Sequence, residues 1–278
     1  MNIILITNEI HPMNISNYLQ QASSNHPITI DPSWGQGNTT FGGMSAALLL
    51  ERISQSVPEQ HQLRSISINF CGPLTTGQPF ELSDQLLRAG KSISHYQGIA
   101  TQDDNIVTVV NACYGVERDS DIDVAHDPVA PDMTSPGQAM PYLKGITPEF
   151  IRHVDLVYLK GQFPFSNSPH NLIRGRMRFK DCPETVSNAH LLALIDTWPP
   201  ALIQKMARPG PCATVTWNVE MITPLANIEP IAGDDWLYYE VDIRQAHHGY
   251  GHTEARISRS DGTVLAVSRQ LVSVYDKR

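Results

Sequence analysis

The sequence predicts an α+β fold laid down twice, each half pairing one helix with an antiparallel sheet. Three observations carry this. The two halves can be superposed on each other as sequences. Each contains an alternating polar and apolar run that stops at Pro-Leu, and each carries one apolar segment with helical spacing.

The first-half helix is Gly42-Gly-Met-Ser-Ala-Ala-Leu-Leu-Leu-Glu-Arg-Ile53, apolar nearly all round. Such a helix must be covered on most sides, and a sheet curled around it is an economical cover. The strand run Ser65-Ile-Ser-Ile-Asn-Phe-Cys-Gly-Pro-Leu74 follows. In the second half, Ser187-Asn-Ala-His-Leu-Leu-Ala-Leu-Ile-Asp-Thr-Trp198 repeats the apolar helix. Ser187 or Asn188 is its N-cap, and Pro199-Pro200 ends or kinks it. The matching strand run is Thr214-Val-Thr-Trp-Asn-Val-Glu-Met-Ile-Thr-Pro-Leu225.

Further along, Phe80-Glu-Leu82 aligns with Tyr239-Glu-Val241 and Gly90 with Gly249, both at an offset of 159 residues. Asp103-Asp-Asn-Ile-Val107 aligns with Asp261-Gly-Thr-Val-Leu265 at 158. Asp-Asn and Asp-Gly between alternating runs are hairpin signals, because these residues tolerate positive φ. Between the halves, Glu117 to Met140 is rich in Asp and Pro, and reads as an exposed linker without a functional role. The expected organisation is an N-terminal repeat over 1–118, an acidic Pro-rich linker over 119–145, and a C-terminal repeat over 146–278.

Composition narrows the function classes. The chain is 41% hydrophobic and 17% charged, as expected of a globular protein, and its formal net charge is −8. That balance gives no general attraction to nucleic acid or anionic lipid. No apolar run is long enough to span a bilayer, and the opening Met1-Asn-Ile-Ile-Leu-Ile-Thr7 is too short and uncharged for a signal peptide. A cytoplasmic protein with no membrane partner is expected. Cys71, Cys113, Cys182 and Cys212 form no Cys-x-x-Cys pair and read as reduced packing residues.

Several chemistry-bearing residues stand out. Asp196 is the one carboxylate in an otherwise apolar helix, and a buried carboxylate needs partners or a task. Gln270 sits in the last alternating run on a face with Val264, Ala266, Ser268, Val272 and Val274, so an amide is placed among mainly apolar neighbours. Thr214 and Thr216 lie two apart on one strand, hence on one expected face, and either can hold a water. Other motif-like strings are weaker. Ser45 in Gly43-Met-Ser-Ala-Ala47 lacks the final glycine of a nucleophile elbow. His247, His248 and His252 have no metal-ligand spacing, and Gly35-Gln-Gly37 lacks the third glycine of a dinucleotide fingerprint. No metal or cofactor is expected.

Taken in order and spacing, Trp34-Gly-Gln-Gly-Asn-Thr-Thr-Phe-Gly-Gly43 and the closing pattern Trp236-Leu-Tyr-Tyr … Gly249 … Asp261-Gly … Leu265-Ala … Gln270 resemble the acyl-CoA thioesterase II-like, double hot-dog family. The resemblance runs from about Pro32 to Val274. It implies a tandem hot-dog with two antiparallel sheets, each wrapped round a central helix. It also implies hydrolysis of a fatty or small acyl-CoA, and a homo-oligomer formed by packing of sheets.

In that family an Asp from the second helix, a Thr from the next strand and a Gln from the last strand hold the attacking water, which implies Asp196, Thr214 and Gln270. Thr216 stays open as the alternative hydroxyl. Glu51 is the reserve carboxylate, about where single-domain hot-dog thioesterases carry one after Gly-Gly. Backbone N–H groups at Gly42 and Gly43 are expected to polarise the thioester carbonyl, because helix N-termini leave free donors. The N-terminal copy has Ala112 where the repeat alignment puts Gln270, and is expected to complete the cleft. A silent acyl-CoA-binding or assembly protein and a hot-dog enoyl-CoA hydratase are the alternative functions.

Overall fold

A computed structural model describes residues 13–124, 130–132 and 134–277. The opening Met1–Thr7 and part of the stretch read as linker lie outside the described residues. The N-terminal half opens with helix α1 (Ile15–Ala22), strand β1 (Ile28–Thr29), and a short hairpin of β2 (Gly35–Gln36) with β3 (Thr39–Thr40). Helix α2 (Gly42–Ser54) follows, then β4 (Gln62–Phe70), β5 (Pro79–Ala89), β6 (Ile93–Gln102) and β7 (Asn105–Gly115). The C-terminal half contains β8 (Gln138–Ala139), β9 (Val154–Lys160), β10 (Leu172–Phe179), α3 (Asn188–Ile195), β11 (Cys212–Met221), β12 (Leu237–His247), β13 (Tyr250–Ser258) and β14 (Val264–Val274).

Where two separate sheets were expected, twelve of the described strands form one antiparallel sheet in the order β1-β5-β6-β7-β4-β11-β14-β13-β12-β10-β9-β8, and β2 with β3 stays apart as a hairpin. The halves meet at β4 and β11, which pair from Thr216 opposite Asn69 to Glu220 opposite Ser65. Unpaired backbone at a sheet edge is costly or aggregation-prone, and this pairing removes one edge from each half. Both apolar helices lie against the sheet and against each other. Leu48, Leu49, Ala193 and Leu194 are each 1% exposed or less, which accounts for helices that are apolar all round.

The duplication is visible in the irregularities of the sheet as well as in its order. The β5–β6 pair slips register at Leu86/Arg88 and the β12–β13 pair at Ile243/Gln245; β6–β7 slips at Ala100/Thr101 and β13–β14 at Ile257/Ser258. A β-bulge is a built feature that re-aims side chains, so its repetition is independent support for the internal repeat. These bulges also correct the sequence register. Leu86 and Ile243 are equivalent, an offset of 157 in place of 159, so Gly249 corresponds to Ser92 and not to Gly90. The two-residue error preserves which face each side chain occupies, so the sequence pattern alone did not expose it.

The predicted helices and hairpins are present, with Ser187 as N-cap of α3 and positive φ at Asp103, Asp104 and Gly262 in the turns. Helix α3 ends at Ile195, before the two prolines, with Asp196 as its C-cap. Among the described residues, the elements not anticipated include α1, β9 and β10. Helix α1 is held by a reciprocal cap between Asn14 and Asn17 and buries Ile15, Tyr18, Leu19 and Ala22 beside α2. Strands β9 and β10 precede α3 and extend the second half beyond its partner, with β10 beside β12 as the two-residue β1 lies beside β5.

Candidate active site

The N-terminus of α2 and the C-terminus of α3 converge. Phe41, the N-cap of α2, supplies no side-chain cap, so the first N–H groups of that helix need another acceptor. Asp196, the C-cap of α3, provides it: the Gly43 N–H donates to its carboxylate. The approach is too close for any side chain at this point. A Cβ on Gly43 would stand 2.8 Å from Ala193 O and 2.8 Å from Asp196 Cβ, and one on Gly42 would stand 2.9 Å from Asp196 Oδ2. The Gly-Gly pair is therefore a packing requirement of the helix-to-helix contact.

The second partner of Asp196 arrives from the far end of the chain. Gln270 Nε2 donates to Asp196 Oδ1 at 2.9 Å, joining residues 74 apart in sequence. Burial lifts the carboxyl pKa to about 7, while the Gly43 N–H and the Gln270 amide act in the opposite direction by favouring the charged form. A carboxylate poised near neutrality, with two donors fixing its orientation, is suited to exchanging a proton with water.

A bulge sets the two threonines on different faces. Strand β11 pairs Thr214 with Val272 and Trp217 with Gln270, but slips between Thr214 and Thr216 so that Thr216 faces Leu271. Directly paired residues share a face, so Thr214 lies on the Val272 and Gln270 side and Thr216 on the opposite side. This corrects the expectation that two threonines two apart share a face. Both Thr214 and Asp196 line a cavity of about 720 Å³, and Thr216 is not among its lining residues.

The remaining sequence candidates divide between the cavity wall, which includes Gly42 and Ser45, and positions away from it. The Gly43 N–H is directed to Asp196. Glu51 is half-buried near the far end of α2, accepts from Gln55 Nε2 at 3.1 Å, and does not line the cavity. Arg52 pairs with Asp84, not with Glu51. In the N-terminal half, the positions matching Gln270 and Thr214 by strand pairing are Ala112 and Leu63, both buried and apolar. The Ser45 hydroxyl donates to Gly42 O at 2.9 Å and accepts from Thr108 at 3.2 Å, so it holds the helix start.

Sequence reasoning missed the roof of the cavity. Met140, Pro141 and Leu143, from the end of the stretch read as linker, join Ile146, Phe150 and Phe163 in its wall. The only available signal was the rise in apolar residues after Gln138, masked by flanking proline and glycine. Trp198 closes another side, stacked on Tyr239 at 5.1 Å. Trp34 and Trp217 are core residues.

Comparison with known proteins places this geometry. Residues 125–274 match the family model for the acyl-CoA thioesterase C-terminal domain, and residues 30–115 match that for the N-terminal domain. No curated protein matches the chain. Among solved structures, a hot-dog-fold protein of unknown function from Alicyclobacillus acidocaldarius superposes with a TM-score of 0.78 at 23% identity, covering 92% of this chain and 97% of that one. A tesB protein of Mycobacterium avium subsp. paratuberculosis gives 0.70 at 15% identity, with 94% and 100% covered. An acyl-CoA thioesterase II of Mycobacterium marinum gives 0.66 at 16%, with 93% and 97% covered. These likenesses establish the hot-dog fold.

Proposed function

The chain belongs to the acyl-CoA thioesterase family, and from that premise we propose that it hydrolyses an acyl-CoA thioester to a free acid and CoA at the Asp196 site. The carrying observation is the contact between Asp196 and Gln270 on the wall that Asp196 shares with Thr214. We read the architecture as a double hot-dog over the boundaries 1–118, 119–145 and 146–278, in which only the second copy retains the polar residues.

In this reading a water sits among the Asp196 carboxylate, the Thr214 hydroxyl and the Gln270 amide. The water oxygen attacks the thioester carbonyl carbon as Asp196 takes its proton, so the carbonyl becomes a tetrahedral oxyanion. The Gly42 N–H at the start of α2 is the donor assigned to that oxyanion, while the Gly43 N–H holds the base. Collapse of the intermediate breaks the carbon–sulfur bond, and the proton on Asp196 goes to the departing thiolate. The acid leaves as product and the carboxylate is restored. The apolar cavity walls suit the acyl chain, whose burial is favourable at about 25 cal/mol per Å².

The test is thiol release from a series of acyl-CoA substrates, with Asp196→Asn as the control. Turnover lost in that variant supports hydrolysis. Tight acyl-CoA binding with no thiol release in the unaltered protein would instead support a silent binder. Hydration of an enoyl-CoA with the thioester intact would support a hydratase.

A further inference from the structure

The thioesterase reading leaves one part of the substrate unplaced. CoA ends in a phosphorylated nucleotide, and phosphates bind where cationic side chains or free N–H groups face them. Among the described residues, no Lys or Arg lines the cavity that holds Asp196, and its one charged wall residue is that carboxylate. A polyanion has no counter-charge there.

A second cavity of about 850 Å³ shares the segment 202–210 with the first. Ile203, Pro209 and Gly210 line the first cavity, while Leu202 and Lys205 to Arg208 line the second. The two also adjoin across the sheet, because Cys212 lines the first and its strand partner Val274 lines the second. Cys212 is two residues from Thr214, roughly 7 Å along a strand.

Three cations, Lys205, Arg208 and Lys277, line this second cavity against a single Asp276. Among the described residues none of the three is in an ion pair, although the protein as a whole carries a net charge of −8. Lys205 is also pre-positioned. Its three N–H donors are shared among Asn171 Oδ1 at 2.8 Å and the carbonyls of Ser168, Pro169 and His170 at 3.4 Å, all neutral acceptors that fix it without cancelling its charge. Tyr250 is 53% exposed on the same wall, so aromatic surface lies beside the cations. Cations next to an exposed aromatic ring suit a nucleotide, whose base stacks while its phosphates pair.

We propose that the second cavity receives the phosphorylated nucleotide end of the CoA thioester, with Arg208 and Lys277 facing the phosphates, Lys205 adding its fixed charge beside them, and Tyr250 next to the adenine. The pantetheine arm then crosses beside Cys212 to carry the thioester to Asp196. This assignment rests on the thioesterase reading for its choice of ligand.

Calorimetric titration of the full chain with free CoA, and separately with 3′,5′-ADP, tests it. Arg208→Ala with Lys277→Ala is expected to weaken both ligands by at least about tenfold and to flatten the salt dependence of binding. Hydrolysis of an acyl-pantetheine, which lacks the nucleotide, is expected to be unchanged in that variant. Lys144→Ala, an exposed cation beside the cavity-lining Leu143, is the control and should leave CoA binding intact. Unchanged CoA binding in the double variant overturns the proposal, as does an equal loss in Lys144→Ala or failure of the unaltered protein to bind either ligand. CoA binding that depends on Arg208 and Lys277, without thioester hydrolysis, would sink the hydrolase reading and leave the nucleotide site standing.

Discussion

At the Asp196 carboxyl, activity and stability are expected to respond to pH in opposite directions. In the proposed mechanism the ionised form is the base, and with a pKa of about 7 its population grows as pH rises through neutrality. The expected kcat/KM climbs about tenfold per pH unit below that value and levels off above it. For stability the folded pKa is raised above the unfolded one, so the contribution is full below the ordinary carboxylate range and is lost as pH rises through about 7. Asp196→Asn should therefore lower kcat by about 10² or more, yet raise Tm at pH 8, with the gain shrinking toward pH 5. Differential scanning calorimetry at the two pH values checks the second half of that statement. Gln270→Ala removes a charge-assisted hydrogen bond and should cost about 10- to 100-fold in kcat. Thr214→Val should slow turnover at least about tenfold while Thr216→Val leaves it nearly unchanged; equal losses in both would refute the assignment of faces. Asp196 and Gln270 were legible because a charge and an amide interrupt apolar patterns. The choice of threonine was not legible, because one extra residue in a strand reverses the face of everything beyond it and leaves no mark on composition.

Among the elements, the glycines report where backbones meet. Gly175 lies in mid-strand in β10, and a Cβ there would come within 2.2 Å of the Trp198 ring and 2.5 Å of Val157 O. Gly175→Ala should destabilise the protein by about 1–3 kcal/mol through overpacking, and displace a tryptophan two residues from Asp196. The expected readout is a lower denaturant midpoint accompanied by a change in tryptophan fluorescence; an unaltered midpoint would show that the ring moves freely. Helices α2 and α3 were legible from uniform apolarity, and the hairpins from Asp-Asn and Asp-Gly. Strand β10 alternates as clearly, in Leu172-Ile-Arg-Gly-Arg-Met-Arg-Phe179, but its counterpart in the first half is two residues long. A reading guided by the duplication had no template for it. Helix α1 escaped for the same reason, since its Ile15, Tyr18, Leu19 and Ala22 spacing has no second copy.

For the whole molecule, the strand residues Leu86, Leu87, Ile93, Ile106 and Val215 are each at 37% exposure or more. Apolar groups spread over strand faces are suited to burial against another copy, and a homo-oligomer is the expected state. Light scattering at micromolar concentration should give at least a dimer, and a concentration-independent monomer would remove that expectation. The number of sheets was the element of architecture that the sequence hid. Alternation reports that a strand has an inside and an outside, but not which neighbour it takes at its edge, so the β4 and β11 runs read equally well as borders or as centre.

That shared centre governs how a substrate gets in. Five consecutive residue pairs tie β4 to β11, and the Ser67 hydroxyl bonds to Asn218 across them. The molecule consequently has no crease along which it can open like a book, since parting the copies would break a ladder of backbone bonds. Under the proposed hydrolysis, room for a bulky tail is expected to come instead from the cavity-lining stretch Met140 to Glu149, whose hydrogen bonds run mostly within the stretch itself.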